Sequence, residues 1–293
     1  MNRLKVVIRW VVSWIRAFIN FSSFIIKIVI SANKLAKPLE RGNYGTLAIL
    51  ANGPSLKREI SRISTDKEFE EVDFFVINFF AFEPLFTQIK PRHYCFADPM
   101  FFGSSHNEES VRKLFAILET AVNWDMTLYI SAYSYHEFLS FSGLKNSKIT
   151  IRAVNTIVYS GFESLRHFFY RKSLAAPKIQ NVSVFAIFVG LNLGYNKLRL
   201  YGVDHTFFDS IKVNDQNQLC NKTAHFYDNG EALLQPILRI DTGLPWKVSE
   251  YLKAMYYTFK GHDELASYSV YLGVEVTNFT QESLIDAYKR AIN

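Results

Sequence analysis

Six short polar motifs carry the side chains with chemical potential, and most of them follow directly on an apolar run. Asn52-Gly53-Pro54-Ser55-Leu56 comes after the first such run. In it Gly53 permits a tight turn and a close backbone approach, Pro54 sets the turn, and Ser55 is placed to cap a helix. Free N–H groups at such a helix start suit a phosphate. The motif is neither G-x-G-x-x-G nor a P-loop, since it lacks the Lys-Ser/Thr pair. Asn78 closes Val76-Ile77-Asn78 and can read a base or ribose, or serve only as a turn residue. Asp98, before Pro99, can accept ribose hydroxyls, ligate a metal, or cap the next segment. Asn181-Val182-Ser183 opens an apolar helix, with Asn181 or Ser183 as the cap and a phosphate as the partner it could take. Gly202-Val203-Asp204-His205 and His225-Phe226-Tyr227-Asp228 complete the set.

These motifs need a scaffold that gathers them. From residue 46 the chain alternates short apolar runs with helical stretches. Strands are expected at Thr46–Ala51, Asp73–Ile77, His93–Ala97, Thr127–Ser131, Ile149–Ala153, Leu198–Tyr201 and Ser267–Leu272. Helices are expected at Glu109–Val122, Phe162–Tyr170, Val182–Leu193, Ser249–Lys260 and Gln281–Ile292. This alternation predicts an α/β fold with a doubly wound, mostly parallel sheet. Ligands of such sheets bind beyond the carboxyl ends of the strands, which is where the polar motifs fall. Residues 204–248 are rich in Asn, Asp, Thr and Gly and read as a long loop or small lid.

Composition removes other classes. The chain has 293 residues, is 49% apolar, and carries two cysteines, Cys95 and Cys220, so neither a disordered chain nor a disulfide framework is expected. Residues 1–41 hold eight Lys/Arg and one acid, whereas the remainder holds 25 basic and 26 acidic side chains. The net charge of +6 therefore comes from the tail, and a near-neutral body argues against nucleic acid as a partner.

That tail (1–41) reads as a basic amphipathic helix and linker, and 42–293 as the body. On a helix, Asn2, Lys5, Arg9, Ser13, Arg16, Asn20, Ser23, Lys27, Ser31 and Lys34 form one polar stripe within a wide apolar sector. Such a helix lies in a bilayer interface, or packs on the body or on another copy of the chain. Its longest charge-free stretch, Ala17 to Ile26, is shorter than a spanning helix is expected to need.

Taken together, Asn-Gly-Pro-Ser-Leu, a strand-end Asn, Asp98-Pro99, Leu193-Gly194-Tyr195, Gly202-Val203-Asp204 and a later His-x-Tyr resemble the bacterial sialyltransferases of glycosyltransferase family 42. The resemblance spans most of residues 46–286 and is weak between motifs. It implies a Rossmann-like, GT-A-like single nucleotide-binding domain, a CMP-sugar donor (sialic acid or related), inversion at the anomeric centre, and no required cofactor. A glycan or lipid-linked glycan acceptor follows, as does a peripheral place on the inner face of the cytoplasmic membrane. Asn52, Gly53, Ser55 and Asn78 would hold the nucleotide and phosphate, Asn181, Val182 and Ser183 would lie near the donor, and Gly202 and Asp204 match the family's Gly-Ile-Asp. A sugar hydroxyl needs a base to attack. His225 is the first expectation for it and His205 the second, with Tyr227, Ser183 and backbone N–H groups near Gly53 neutralising the leaving phosphate. His93, His106, His136, His167 and His262 are expected to be structural or surface groups. Two departures stand out: the family motif has two histidines four residues apart where this chain has His225 alone, and Asp98 replaces an Asn. The Gly-Pro-Ser-Leu and Gly-x-Asp frame is also similar to the archaeal 6-hydroxymethylpterin diphosphokinases. That resemblance implies an alternative in which Asp98 and Asp204 hold Mg²⁺.

Overall fold

A computed structural model describes residues 3–32, 35–42, 44–103, 108–223, 233–239 and 242–291. Its strands are β1 (Tyr44–Leu50), β2 (Val72–Ile77), β3 (His93–Cys95), β4 (Met126–Ser131), β5 (Ile149–Val154), β6 (Tyr195–Tyr201), β7 (Ile211–Val213), β8 (Leu219–Thr223), β9 (Leu233–Pro236), β10 (Glu275–Asn278) and β11 (Lys289–Arg290). Its α-helices are α1 (Arg3–Ile30), α2 (Leu56–Thr65), α3 (Leu85–Ile89), α4 (Glu108–Ala121), α5 (Tyr135–Ser142), α6 (Glu163–Arg171), α7 (Val182–Leu193) and α8 (Val248–Leu272).

Eight strands form one sheet in the order β11-β10-β6-β1-β2-β3-β4-β5, and every pairing in it is parallel. The chain enters at β1, steps outward to β5, and returns through α7 to lay β6 on the other side of β1. The expected doubly wound α/β architecture is therefore present. Alternation within β1 explains it: Leu47 and Ile49 face one apolar cluster and Ala48 and Leu50 the other, all four fully buried. A sheet buried on both faces needs helices on both. The first cluster is filled by α7, which is apolar all round and buried from Ser183 to Leu193. The second includes residues of α2, α4 and α5. Within 204–248 lies a separate antiparallel sheet, β7-β8-β9.

Two expected elements are corrected. Ser267–Leu272 is not a strand but the last turns of α8. Its aromatic and β-branched residues favour strand locally. Gly261, His262, Leu265, Tyr268 and Ser269 are nevertheless buried at helical spacing, and the helix runs on to Gly273 (φ 69°). The true strand is β10. The described part of Gln281–Ile292, residues 281–291, is likewise not a helix. The Ser283 hydroxyl donates to Val203 O (2.7 Å), and Leu284 N–H donates to Asp204 O (3.0 Å). These bonds draw the segment across the end of β6 in place of a helical ladder.

α1 has 28 residues and is about 42 Å long. Its lower half packs on the body through Phe21, Phe24, Ile25 and Ile28, an i, i+3, i+4, i+7 stripe, with Phe24 fully buried against Tyr159 and Phe169. Its upper half leaves Val6, Val7, Ile8, Trp10, Trp14, Ile15, Phe18 and Ile19 half or more exposed. Lys5–Ile30 is long and apolar enough to cross a membrane by length and composition, with a mean hydropathy of 1.5.

Candidate functional site

The register decides which strand-end residues can meet. Leu50 pairs with Val76 and with Tyr201, so two residues further on Asn52 stands level with Asn78 and with Val203. Ile77 pairs with Cys95, Cys95 with Tyr129, and Ser131 with Val154. Asn52, Asn78, Asp98, Ser131 and Asn155 therefore follow one another along a single edge, in the spatial order β1 to β5.

At the switch between β1 and β6 that edge is filled by protein. Gly53 N–H donates to Gly202 O (2.9 Å), and a Cβ on Gly53 would fall 1.8 Å from Asp204 Oδ2. Gly202 has φ 68°, and a Cβ there would meet Ala51 O at 2.6 Å. Only glycine allows this approach. Asp204, 8% exposed, accepts from Ser55 N–H (3.2 Å) and from the Ser55 hydroxyl (2.9 Å). Its carboxylate thus occupies the start of α2, where the dipole favours a negative charge and where a phosphate was expected. Pro54 and Ser55 are held as the entry to α2.

Asn52 and Asn78 are adjacent: Asn52 Nδ2 lies 3.4 Å from Ile77 O. Asn78 adopts φ 47°, a left-handed conformation, and its Oδ1 is buried without a partner. A strained residue with an unsatisfied acceptor at a strand end is the kind of feature ligands satisfy. Asp98 accepts from Met100 N–H (3.1 Å) and caps the following turn, while burial pushes its carboxyl above the usual carboxylate range. Neither Asp98 nor Asp204 belongs to a three-ligand cluster among the described residues.

At α7, Asn181 is the cap. Its Oδ1 accepts from both the backbone N–H and the hydroxyl of Ser183, each at 2.7 Å. Ser183 is 1% exposed, so its hydroxyl serves the cap, and Val182 begins the helix.

His205 sits directly after Asp204 with φ 55°, its Nε2 3.1 Å from Nε2 of His262. His262 is fully buried, and its Nδ1 lies 3.1 Å from the Tyr288 hydroxyl. Burial pulls His205 down to about 4, so it holds a proton too weakly for an efficient base near neutral pH. His225 and Tyr227 lie outside the described residues.

A cavity of about 800 Å³ opens further along the same edge, beyond β3, β4 and β5. Its walls are largely apolar, from Leu35, Phe96, Phe102, Tyr133, Ile157, Val158, Ile179 and Phe185. Ser31, Ser131, Ser134, His136, Glu137, Thr156 and Lys178 supply polar groups. Ser131 and Thr156 share a 2.6 Å hydrogen bond. Lys178 Nζ lies 3.7 Å from the Tyr257 ring centroid, beside the approach to α7. Volume and lining suit a small ligand held by a few polar groups.

Among the described residues, none of the site residues expected from the sequence lines this cavity. Those that do were missed, although Ser131 ends one expected strand, Thr156 follows another, and both obey the same strand-end rule. His136, expected to be structural or on the surface, is in the lining. No protein-family model matches the chain, and no curated protein matches it.

Proposed function

We propose that this chain is an inverting glycosyltransferase that works at a membrane surface, moving a sugar from a CMP-activated donor to a glycan acceptor. One observation carries the reading: the 800 Å³ cavity lies on the carboxyl edge of a doubly wound parallel sheet and has Ser31 and Leu35, from the root of α1, in its wall. The edge reads as two halves. Asn52, Asn78 and Asp98 offer amide and carboxylate groups to a nucleoside, and the unpartnered Asn78 Oδ1 gains a donor when a base or ribose binds. The cavity beyond them takes the sugar and the acceptor.

Attack by a hydroxyl needs a positioned proton acceptor. His225 keeps that role in this reading, because His205 is turned to His262. His136 and Glu137 are the proton-accepting groups already in the cavity lining. Lys178 and the capped start of α7 favour the negative charge that develops on a leaving phosphate.

A thermal-shift screen of the full chain against CMP, CDP, UDP, GDP and ATP, with and without Mg²⁺, tests the reading. Stabilisation by CMP that survives EDTA is expected. ATP binding with strict Mg²⁺ dependence would replace it with pyrophosphoryl transfer. His225→Ala should abolish transfer and leave the CMP shift intact, and unchanged turnover would remove His225 from the mechanism.

A further inference from the structure

A second hollow, of about 390 Å³, lies over β6, β10 and β11 and shares no lining residue with the cavity beyond β3 to β5. Alternation along β6 creates it. Leu198 and Leu200 turn to the first apolar cluster, so Lys197 and Arg199 turn to the other face of the sheet. A parallel sheet normally carries helices on both faces. Among the described residues, the second cluster reaches β6 and β10 only at Tyr201 and Phe279, whose rings stack at 5.1 Å. Beyond that pair Lys197, Glu275 and Lys289 are exposed.

Register sets out the charges. Arg199 pairs with Thr277 and Thr277 with Lys289, so these three side chains stand abreast across the three strands. Lys197 stands one row back, level with Glu275. Arg290 donates to the carbonyls of Thr280, Ser283 and Ile285, which ties β11 down and adds a fourth cation to the wall. Four cations therefore share the hollow with one carboxylate, in a body whose bases and acids otherwise nearly balance. Among the described residues, neither Lys197 nor Lys289 forms an ion pair. The far end is apolar, with Phe279 and Ala291, and the Arg199 guanidinium carbon lies 5.7 Å from the Phe279 ring centroid.

We infer that this hollow binds a phosphate monoester, its phosphate between Arg199 and Lys289 and its organic part on Phe279. A guanidinium fork and an ammonium point charge are the usual partners of phosphate oxygens, and a monoester is largely dianionic near neutral pH. The Thr277 hydroxyl adds a neutral donor between the two cations. The volume suits a small molecule rather than a helix or a duplex. α1 packs on the first cluster, so the hollow opens on the opposite face of the sheet, which favours a free ligand over a lipid headgroup. The inference does not rest on the transferase reading.

Calorimetric titration of the full chain with phenyl phosphate tests it. Saturable binding that weakens with added NaCl is expected. Lys197→Gln with Lys289→Gln should weaken it about tenfold, and Glu275→Gln should strengthen it about threefold. A gain of affinity cannot come from a misfolded chain. Absence of saturable binding, or equal affinity in the parent and both variants, would overturn the inference. A second arm measures sedimentation with phosphatidylcholine vesicles, with and without phosphatidylglycerol. If the double lysine variant lost sedimentation that depends on phosphatidylglycerol, while phenyl phosphate failed to bind the parent chain, the hollow would face a lipid headgroup and the inference would fall.

Discussion

Two stretches of the same sheet edge obey the same rule and end differently. At β1 and β6, the switch point where parallel α/β sheets usually open a crevice, backbone and carboxylate fill the space: Gly53 donates to Gly202, and Asp204 caps α2. At β3 to β5 the strands end in small polar residues, and the space stays open over about 800 Å³. A strand-end polar residue therefore does one of two things. It satisfies the protein, as Asp204 does, or it leaves room for something else. Which one it does depends on a neighbour distant in sequence.

The contrast can be broken by substitution. The largest effect is expected at Gly53→Ala. The new methyl collides with Asp204 Oδ2 and Gly202 O, so a loss of more than about 3 kcal/mol in urea unfolding is expected. Asp204→Ala should cost about 1–3 kcal/mol, because it strips the Ser55 N–H and hydroxyl of their acceptor. It should leave CMP affinity nearly unchanged. Ser131→Ala with Thr156→Ala should lower stability by about 1 kcal/mol and weaken acceptor binding about tenfold. If Asp204→Ala abolished CMP binding at full stability, the filled half would be the site.

Acid sharpens the picture through the buried histidines. Burial lowers His93 from 6.5 to about 3 and His205 to about 4, and it lowers His262 in the same direction. The folded chain refuses protons that the unfolded chain takes up below 6.5. Stability is therefore complete above about 6.5 and falls as pH drops toward 3, by up to about 1.4 kcal/mol per pH unit for each histidine. Unfolding midpoints measured across this range check the slope. His205→Phe and His262→Phe together should flatten it, since His93 would then titrate without them.

Local sequence specifies some elements of this fold and not others. α7 was legible to the residue, because a capping Asn181 and a terminal Gly194 bracket an unbroken apolar run. The six strands from β1 to β6 were legible for the same reason: short apolar runs between polar breaks. The tail of α8 was not, since Ser267–Leu272 favours strand locally while its burial follows the helix. Nor was β10, whose Glu275–Asn278 carries only one apolar residue, Val276, and pairs with β6 for tertiary reasons. At the site, the strand-end rule located the edge but not its use. Asp204 read as a ligand group because nothing in its neighbourhood announces Ser55, 149 residues away. The cavity was hidden for the matching reason. Ser31, Ser131, Thr156 and Lys178 are common residues at unremarkable spacings, joined only by the fold.

Hydrogen–deuterium exchange of the full chain with and without CMP tests the central claim most directly. Slowed exchange is expected at Asn78 and across 96–98, with 202–205 unchanged. Protection confined to 53–56 and 202–205 would contradict the account and return the ligand to the switch point.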